Sequence, residues 1–514
     1  MYDLIIKSGE IYCDGKFQSA DIFIKDEKIV KLGSYKHEDT KEIINAAGLY
    51  ISPGFIDVHN HGDLQILNGN NDAYNCLSQG ITSVVVGNCG VSAAPTISDN
   101  SILLNLKGSY QFDSSEEYLQ MIEKVNPPIN VGFLAGHGSL RKKVMGYSSE
   151  FATSDNINNM KDLLEELMDF GFLGMSTGLI YAPGIYASKE ELTDLCKTVK
   201  SYNGVYTTHM RNEGSQLIES ITEQMEIAKK SGVYLEISHL KSAGLNNWGK
   251  INLALELINQ SDNLGVQCGF DFYPYLGGHT TLKACIPKSL LNGELNKSLL
   301  DYLVNSKKSL EIINHSGLQN LTNYGWKDVI ITNCSIPGYS GDTIHQLSIQ
   351  NENDPAKQLI EILKEDINTK AIFNNLISNN DLLELVKHPK GIVGTDGYIF
   401  SKESKTICHP RNYGSFPRAI SLAKSAGVCL EEIIPRLTKL PAERFNIKNR
   451  GEIKEGYFAD LIIFSSSEFK DNAENYNPLL SSEGINSVIV NGSISYQDNA
   501  VKNKNKGQII RRGK

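Results

Sequence analysis

Eight short apolar runs, most of them separated by helical stretches, constrain the fold of this chain more than any other feature. Rich in Val, Ile and Gly, they read YISPGFIDVHNH, TSVVVGN, INVGFLAGHG, FLGMSTGLIY, GVYTTHMR, VYLEISHLK, GVQCGFDFYP and GIVGTDG. One intervening segment, SKEELTDLCKTVKSY, opens with Ser188 and Glu191, a capping box that predicts a helix start. Eight strands close a barrel, and the Gly-rich loop of a doubly wound sheet is missing. The sequence therefore predicts an α/β fold, a (β/α)8 TIM barrel covered by helices.

Both ends of the chain consist of short, turn-bounded, strand-like runs. DLIIKSGEIYC and ADIFIKDEKIVKLG lie near the N-terminus, and FADLIIF and INSVIVNGSISY lie near the C-terminus. We expect the two ends to form one small β-sandwich domain, residues 1–51 plus 447–514, beside a barrel domain of residues 52–446. The interval between Tyr275 and Gly391 exceeds one strand–helix connection, so an inserted subdomain is expected within about 283–345.

Composition and charge narrow the class of protein. The net charge is −9 and the chain has no long basic tract, which argues against a nucleic-acid partner; we expect the locally basic tail, residues 502–514, to be a solvated end. No run reaches the ~18 apolar residues of a membrane span, and the N-terminus lacks the pattern of a signal peptide. Nine scattered cysteines are typical of free thiols in a reducing compartment. The sequence predicts a cytoplasmic protein and leaves the oligomeric state open.

Side chains that bind zinc fall at the ends of the predicted strands. They are His59 and His61 at the first run, Cys89 at the second, His209 at the fifth, His239 at the sixth and Asp396 at the eighth. Barrel enzymes build their active sites on this C-terminal face. Residues i and i+2 of a strand point the same way, so the His-x-His pair can hold one ion. Imidazole, thiolate and carboxylate together predict a zinc site.

Each residue has a simpler interpretation when taken alone. Cys89 could be a small buried hydrophobe, His209 or His239 a hydrogen-bonded histidine, and Asp396 a turn residue. Separate coincidences do not explain a full set of ligands at equivalent strand ends, so the metal site is the preferred interpretation. His137, at the end of the third run, lies at the predicted mouth of the barrel without an assigned role.

A series of longer blocks runs along nearly the whole chain. They are PGFIDVHNH, VVVGNCGVSAAP, GHGSLR, STGLIYAPGIYAS, THMRNEG, SHLKSAG, GTDG, HPRNYGSFPR and PAERFNIKNRGEIKEGYFADLIIF. In these blocks the sequence resembles the amidohydrolase superfamily and, within it, the D-aminoacylase (N-acyl-D-amino-acid deacylase) family. The resemblance implies zinc-dependent hydrolysis of the amide bond of N-acyl-D-amino acids, small molecules that yield a carboxylate and the free D-amino acid.

The resemblance also implies two metal positions. The residues that match the ligands of a tight zinc are Cys89, His209 and His239. Those that match a second, weaker position are His59, His61 and Asp396. Asp396 also matches the catalytic acid/base, which would take a proton from water and pass it to the departing nitrogen.

Three further residues match substrate-binding positions. Lys241 and Arg411 match basic residues that receive the substrate carboxylate, and Tyr186 lies in the matching YAPGIYAS loop. The chain departs from the family where relatives often read His-x-His-Asp-Asp, because it has Gly62 before Asp63. This departure places the surroundings of the weaker metal position in question.

Two alternatives stay open. A cyclic-amide hydrolase of the hydantoinase or dihydroorotase type uses a carboxylated lysine on the fourth strand, and the fourth run FLGMSTGLIY has none. A non-catalytic barrel that serves as a scaffold should have lost ligands, and all of them are present. The sequence does not determine the acyl group or the amino-acid side chain, and the preference for D over L enters only through the resemblance.

Overall fold

The structure of the protein is a computed structural model that describes residues 1–95, 110, 112–291, 295–316, 325–474 and 477–513. The strands in this part of the chain are, in order, β1 (Tyr2–Cys13), β2 (Lys16–Lys25), β3 (Lys28–Gly33), β4 (Thr40–Asn45), β5 (Tyr50–Pro53), β6 (Phe55–Asp57), β7 (Ile81–Val86), β8 (Asn130–Gly136), β9 (Gly174–Gly178), β10 (Val205–His209), β11 (Tyr234–Ile237), β12 (Cys268–Phe272), β13 (Gly278–Thr281), β14 (Val329–Asn333), β15 (Lys370–Phe373), β16 (Gly391–Val393), β17 (Leu461–Phe464), β18 (Ile485–Val490), β19 (Ser493–Gln497) and β20 (Ala500–Val501).

The helices follow the strands along the chain. They are α1 (Tyr74–Leu77), α2 (Ser115–Val125), α3 (His137–Met145), α4 (Ser154–Asp169), α5 (Lys189–Ser201), α6 (Leu217–Ser231), α7 (Ile251–Gln260), α8 (Lys297–Asn305), α9 (Lys307–Ser316), α10 (Ile344–Gln350), α11 (Pro355–Glu365), α12 (Asn379–Lys387), α13 (Arg411–Ser425), α14 (Leu430–Leu437) and α15 (Lys439–Arg444). Within the described ranges, none combines the length and apolar character that a membrane crossing demands.

The predicted barrel is confirmed. Eight strands pair in the order β6 to β12 and then β16, all in parallel. A parallel bridge between Asn60 and Gly397 joins the first strand to the last. Beside it, the Asp396 N–H donates to the His59 carbonyl at 2.8 Å, and the His61 N–H donates to the Gly397 carbonyl at 2.8 Å. Closure of the barrel therefore places the His-x-His pair next to Asp396.

Strands from both ends of the chain form one nine-stranded sheet, as the sequence predicted. The ends meet where β17 runs antiparallel to β5, with Leu461 opposite Pro53. The basic tail is not a solvated end, and that expectation was wrong. Ile509 bridges to Val131 of β8, and Ile510 is buried. The tail is held because these two apolar residues pack and pair against the barrel, which outweighs the solvation of its lysines.

An insertion interrupts the barrel between β12 and β16. It contains a three-stranded antiparallel sheet in the order β13, β15, β14 and helices α8 to α11, packed around their own apolar cluster, which includes Leu300, Leu359 and Phe373. The predicted range of 283–345 lies inside this segment, whose strands extend from Gly278 to Phe373.

The capping box predicted at α5 forms only in part. The Ser188 hydroxyl accepts a hydrogen bond from the Glu191 N–H at 3.1 Å, so the helix begins where the sequence predicted. The Glu191 carboxylate instead pairs with His137 Nε2 at 2.7 Å and with Arg141 Nε at 3.2 Å. All three side chains are buried, so His137 belongs to an ion-paired network that joins α3 to α5.

Candidate active site

The predicted metal ligands lie together at the mouth of the barrel. Their ligand atoms form three trios, and within each trio the atoms lie within 4.8 Å of one another. The trios are Cys89, His209 and His239; His59, His61 and Cys89; and His59, His239 and Asp396. All are buried except His61, which is partly exposed. The structure thus brings the whole sequence-derived set into one cluster.

Backbone turns direct three of these side chains inward. The φ angles of Cys89, His239 and Asp396 are 52°, 35° and 47°, in the left-handed region that residues other than glycine seldom adopt. Each of the three residues comes just after a barrel strand. Such conformations cost about 1–3 kcal/mol each and cluster at active sites, so the surrounding fold must hold these turns.

Cys89 is surrounded by imidazoles. Its Sγ lies 3.4 Å from His59 Nε2 and 3.4 Å from His239 Nε2. Burial alone would raise the pKa of the thiol, but the positive potential of His59 and His239 outweighs burial and holds the pKa of Cys89 well below its ordinary value. A thiolate at the centre of the cluster is the form that binds metal.

Two carboxylates orient the histidines. Asp271 Oδ1 lies 3.0 Å from His59 Nδ1 and accepts the His239 N–H at 2.9 Å. Glu213 Oε1 lies 2.9 Å from His239 Nδ1. With a carboxylate at Nδ1, each ring carries its proton there and turns the lone pair of Nε2 toward Cys89. This carboxylate–histidine arrangement is typical of metal sites.

His209 supports the same conclusion. The ring is buried, and neither of its nitrogens has a hydrogen-bond partner among the described residues; the closest carboxylate oxygen, Glu213 Oε2, is 3.7 Å from Nε2. Unpaired buried polar atoms are costly. A metal ion held jointly with Cys89 and His239 would satisfy one of these nitrogens, so the residues fit a zinc ion.

Asp396 connects the two halves of the site. Its Oδ1 lies 3.0 Å from His61 Nε2 and 3.6 Å from His59 Nε2, and its Oδ2 lies 2.8 Å from Arg411 Nη1. Burial opposes ionisation, but Arg411 and the histidines hold the pKa of Asp396 well below its ordinary value. The group is therefore an ionised carboxylate that can accept a proton.

A basic cluster lies beside the metal ligands. Lys241 Nζ donates to Glu213 Oε1 at 2.7 Å and to the His239 carbonyl at 2.8 Å. The Arg411 guanidinium stacks 4.6 Å from the centre of the Tyr273 ring. The Tyr273 hydroxyl is buried and has no hydrogen-bond partner among the described residues. Two cations and an unpaired hydroxyl form a place where an anion can bind.

The tyrosine loop after β9 also reaches the site. Tyr186 lies in a short 3-10 turn and is half-buried. In the same loop, the Tyr181 ring contacts His209 with ring centres 5.2 Å apart, and its hydroxyl is 2.9 Å from Thr280 Oγ1 of the insertion. Tyr181 was not among the residues predicted from the sequence.

The departure at Gly62 has a steric reason. A Cβ at this position would lie 2.5 Å from the Ile399 side chain, so no side chain fits. Asp63 is buried and accepts the N–H groups of Gly87 and Ala93 at 3.2 and 3.3 Å. It therefore braces the loop that carries Cys89.

Sequence reasoning missed Glu213, Asp271 and Tyr273. Asp271 lies near the end of the seventh strand, the position that identified the other ligands, so its carboxylate could have been found by the same rule. Glu213 and Tyr273 are loop residues, and their contacts depend on how loops after different strands meet.

Comparison with known proteins agrees with this geometry. A model of the amidohydrolase family matches residues 42–256. A D-aminoacylase of Alcaligenes xylosoxydans xylosoxydans is 30% identical over 99% of this chain and 98% of its own length. The crystal structure of N-acyl-D-glutamate deacylase from Bordetella bronchiseptica, complexed with zinc and a phosphonate that mimics the tetrahedral intermediate, matches with a TM-score of 0.85 and 28% identity, covering 99% of each chain. A D-aminoacylase structure described for its binuclear metal centre matches with a TM-score of 0.83 and 27% identity, covering 100% of each chain. The chain belongs to the D-aminoacylase family of the amidohydrolases.

Proposed function

We propose that this protein hydrolyses the amide bond of N-acyl-D-amino acids with the help of zinc, releasing a carboxylate and the free D-amino acid. The observation that carries the proposal is the clustering of Cys89, His209 and His239 beside an ionised Asp396 and an anion site. The relatives named above act on such substrates, and the chain matches them along its whole length.

Cys89, His209 and His239 would hold the tight zinc, and His59, His61 and Asp396 a second, weaker ion. A bound zinc ion lowers the pKa of water to ~7 and polarises a carbonyl group. The side chains of this protein supply the remaining chemistry. Asp271 and Glu213 keep Nε2 of two histidines directed at the site.

Asp396 would carry the proton. Its ionised Oδ1 accepts a proton from the attacking water, and the same oxygen then donates the proton to the nitrogen of the departing amine. Because Arg411 stabilises the carboxylate form, the protonated acid readily gives up the proton. Departure of a neutral amine makes cleavage of the amide possible.

Lys241, Arg411 and the Tyr273 hydroxyl would receive the α-carboxylate of the substrate. The guanidinium offers a planar pair of donors, and the buried hydroxyl of Tyr273 gains a partner when an anion binds. Tyr186 is proposed as a further substrate-binding residue of the loop after β9. Binding the carboxylate beside Asp396 places the amide nitrogen close to the group that protonates it.

The proposal is preferred over a cyclic-amide hydrolase because β9 carries no lysine that could bridge two metals. A cytoplasmic location and a small-molecule substrate as the main partner belong to the same proposal. All nine cysteines are free thiols, as a reducing compartment requires.

A substrate panel tests the function. Paired N-acetyl-D- and N-acetyl-L-amino acids are incubated with the zinc-loaded protein, and released amine is measured. We expect amine release from D substrates and little from their L partners. Protein that carries zinc but releases no amine from any member of the panel would refute the proposal.

A further inference from the structure

The basic cluster and the glycine-rich loops lie on opposite sides of the barrel mouth. Lys241, Tyr273 and Arg411 follow the sixth, seventh and eighth barrel strands, β11, β12 and β16. The loops after the second, third and fourth strands, β7, β8 and β9, contribute no basic residue to this cluster. In a closed eight-stranded barrel these two sets of strands face each other across the axis. The metal ligands lie between them.

A small cavity lies on the glycine-rich side, directly against Cys89. Its walls come from all three loops and include Gly90, Val91, Gly138, Gly178 and Gly184. The volume is about 20 Å³, room for about one water-sized group. Lys142 also borders the cavity, with its ammonium group 4.7 Å from the centre of the Tyr147 ring.

Backbone atoms hold the glycine positions tightly. A Cβ on Gly178 would lie 2.0 Å from the Cys89 carbonyl oxygen, one on Gly138 would lie 2.7 Å from the Gly90 carbonyl oxygen, and one on Gly184 would lie 2.8 Å from the Gly178 carbonyl oxygen. Side chains are therefore excluded from these positions, and the loops approach closely enough to leave only a narrow space. Val91 is a residue of the wall whose side chain can be enlarged or reduced.

We propose that this cavity receives the acyl group of the substrate and accepts only short chains such as formyl and acetyl. The inference rests on the proposed deacylase function. The carbonyl carbon of an amide bears the acyl carbon and the nitrogen in divergent directions. If the amino-acid carboxylate binds Lys241 and Arg411, the acyl group must extend over the opposite strands, where this cavity is the space next to Cys89.

The test compares acyl chain lengths on one amino acid. N-acetyl- and N-butanoyl-D-leucine, or the same pair on the amino acid that the panel ranks first, are assayed for kcat/KM. We expect the wild-type enzyme to prefer acetyl by at least tenfold, since a methylene without space costs about that much. Val91→Ala should raise the butanoyl-to-acetyl ratio about tenfold. Val91→Ile should act oppositely and lower acetyl relative to formyl.

Val428→Ala is the matched control, because Val428 is also a partly buried valine packed against the barrel core but does not line the cavity. It should leave the ratio unchanged. Cleavage of acetyl substrates with the same ratio in wild type, Val91→Ala and Val91→Ile would overturn the acyl assignment and leave the deacylase function intact. Failure to cleave any N-acyl amino acid would instead overturn the function together with this inference.

Discussion

The Glu213 carboxylate is shared by a metal ligand and a substrate-binding residue, and its loss should affect both. Oε1 lies 2.9 Å from His239 Nδ1 and 2.7 Å from Lys241 Nζ. Lys241 Nζ itself lies only 3.0 Å from His239 Nδ1. When Glu213 accepts from both groups, the His239 proton stays on Nδ1 and Nε2 is free to bind metal. Without the carboxylate, Lys241 becomes the donor to Nδ1 and the proton moves to Nε2.

Glu213→Gln removes the charge and keeps the size of the side chain. Loss of such an orienting partner typically weakens metal binding by 10–100-fold, about 1.4–2.7 kcal/mol. Because glutamine still offers one acceptor, we expect a loss near tenfold. The affinity for zinc is measured by competition with a chromophoric chelator, so the result does not depend on turnover.

A second substitution separates orientation of the imidazole from simple loss of charge. If Lys241 competes for Nδ1, Glu213→Gln combined with Lys241→Met should bind zinc more tightly than Glu213→Gln alone. Glu223→Gln is the matched control, since Glu223 is a carboxylate of similar burial that pairs with Arg211; it should leave zinc affinity unchanged. Unaltered zinc affinity in Glu213→Gln, or a further loss in the double variant, would refute the reasoning.

Three further predictions concern the site itself. Cys89→Ala should lose tight zinc and activity together while the protein stays folded, as measured by elemental analysis after dialysis and by circular dichroism; full zinc occupancy would mean that Cys89 is only packed. Asp396→Asn should keep the tight zinc and lower turnover ~10²–10⁴-fold, and near-normal rates would place the general base elsewhere. Lys241→Met or Arg411→Met should reduce the preference for an N-acyl amino acid over its carboxamide by roughly ten- to a hundredfold, since a charged hydrogen bond contributes ~1.5–3 kcal/mol; equal discrimination in both variants would show that another group binds the carboxylate.

Local patterns in the sequence were sufficient for the barrel and for its ligands. The eight apolar runs predicted the strands because a buried parallel strand must be apolar on both faces. Cys89, His209 and Asp396 could be recognised because the C-terminal ends of all barrel strands meet on one face, whatever the loops do. The pairing of the two chain ends followed from matching strand-like runs at both ends.

Contacts between distant loops were decided only by the tertiary structure. His59 and Asp271 are 212 residues apart, and no periodicity reports that their side chains meet. Glu213 reaches His239 because the loops after β10 and β11 fold over each other. The same holds for the tail, where Ile509 and Ile510 find a surface on the barrel that local composition did not indicate. Sequence patterns report which residues of an element are buried, whereas the partner of a buried polar group depends on which loops the closed barrel brings together.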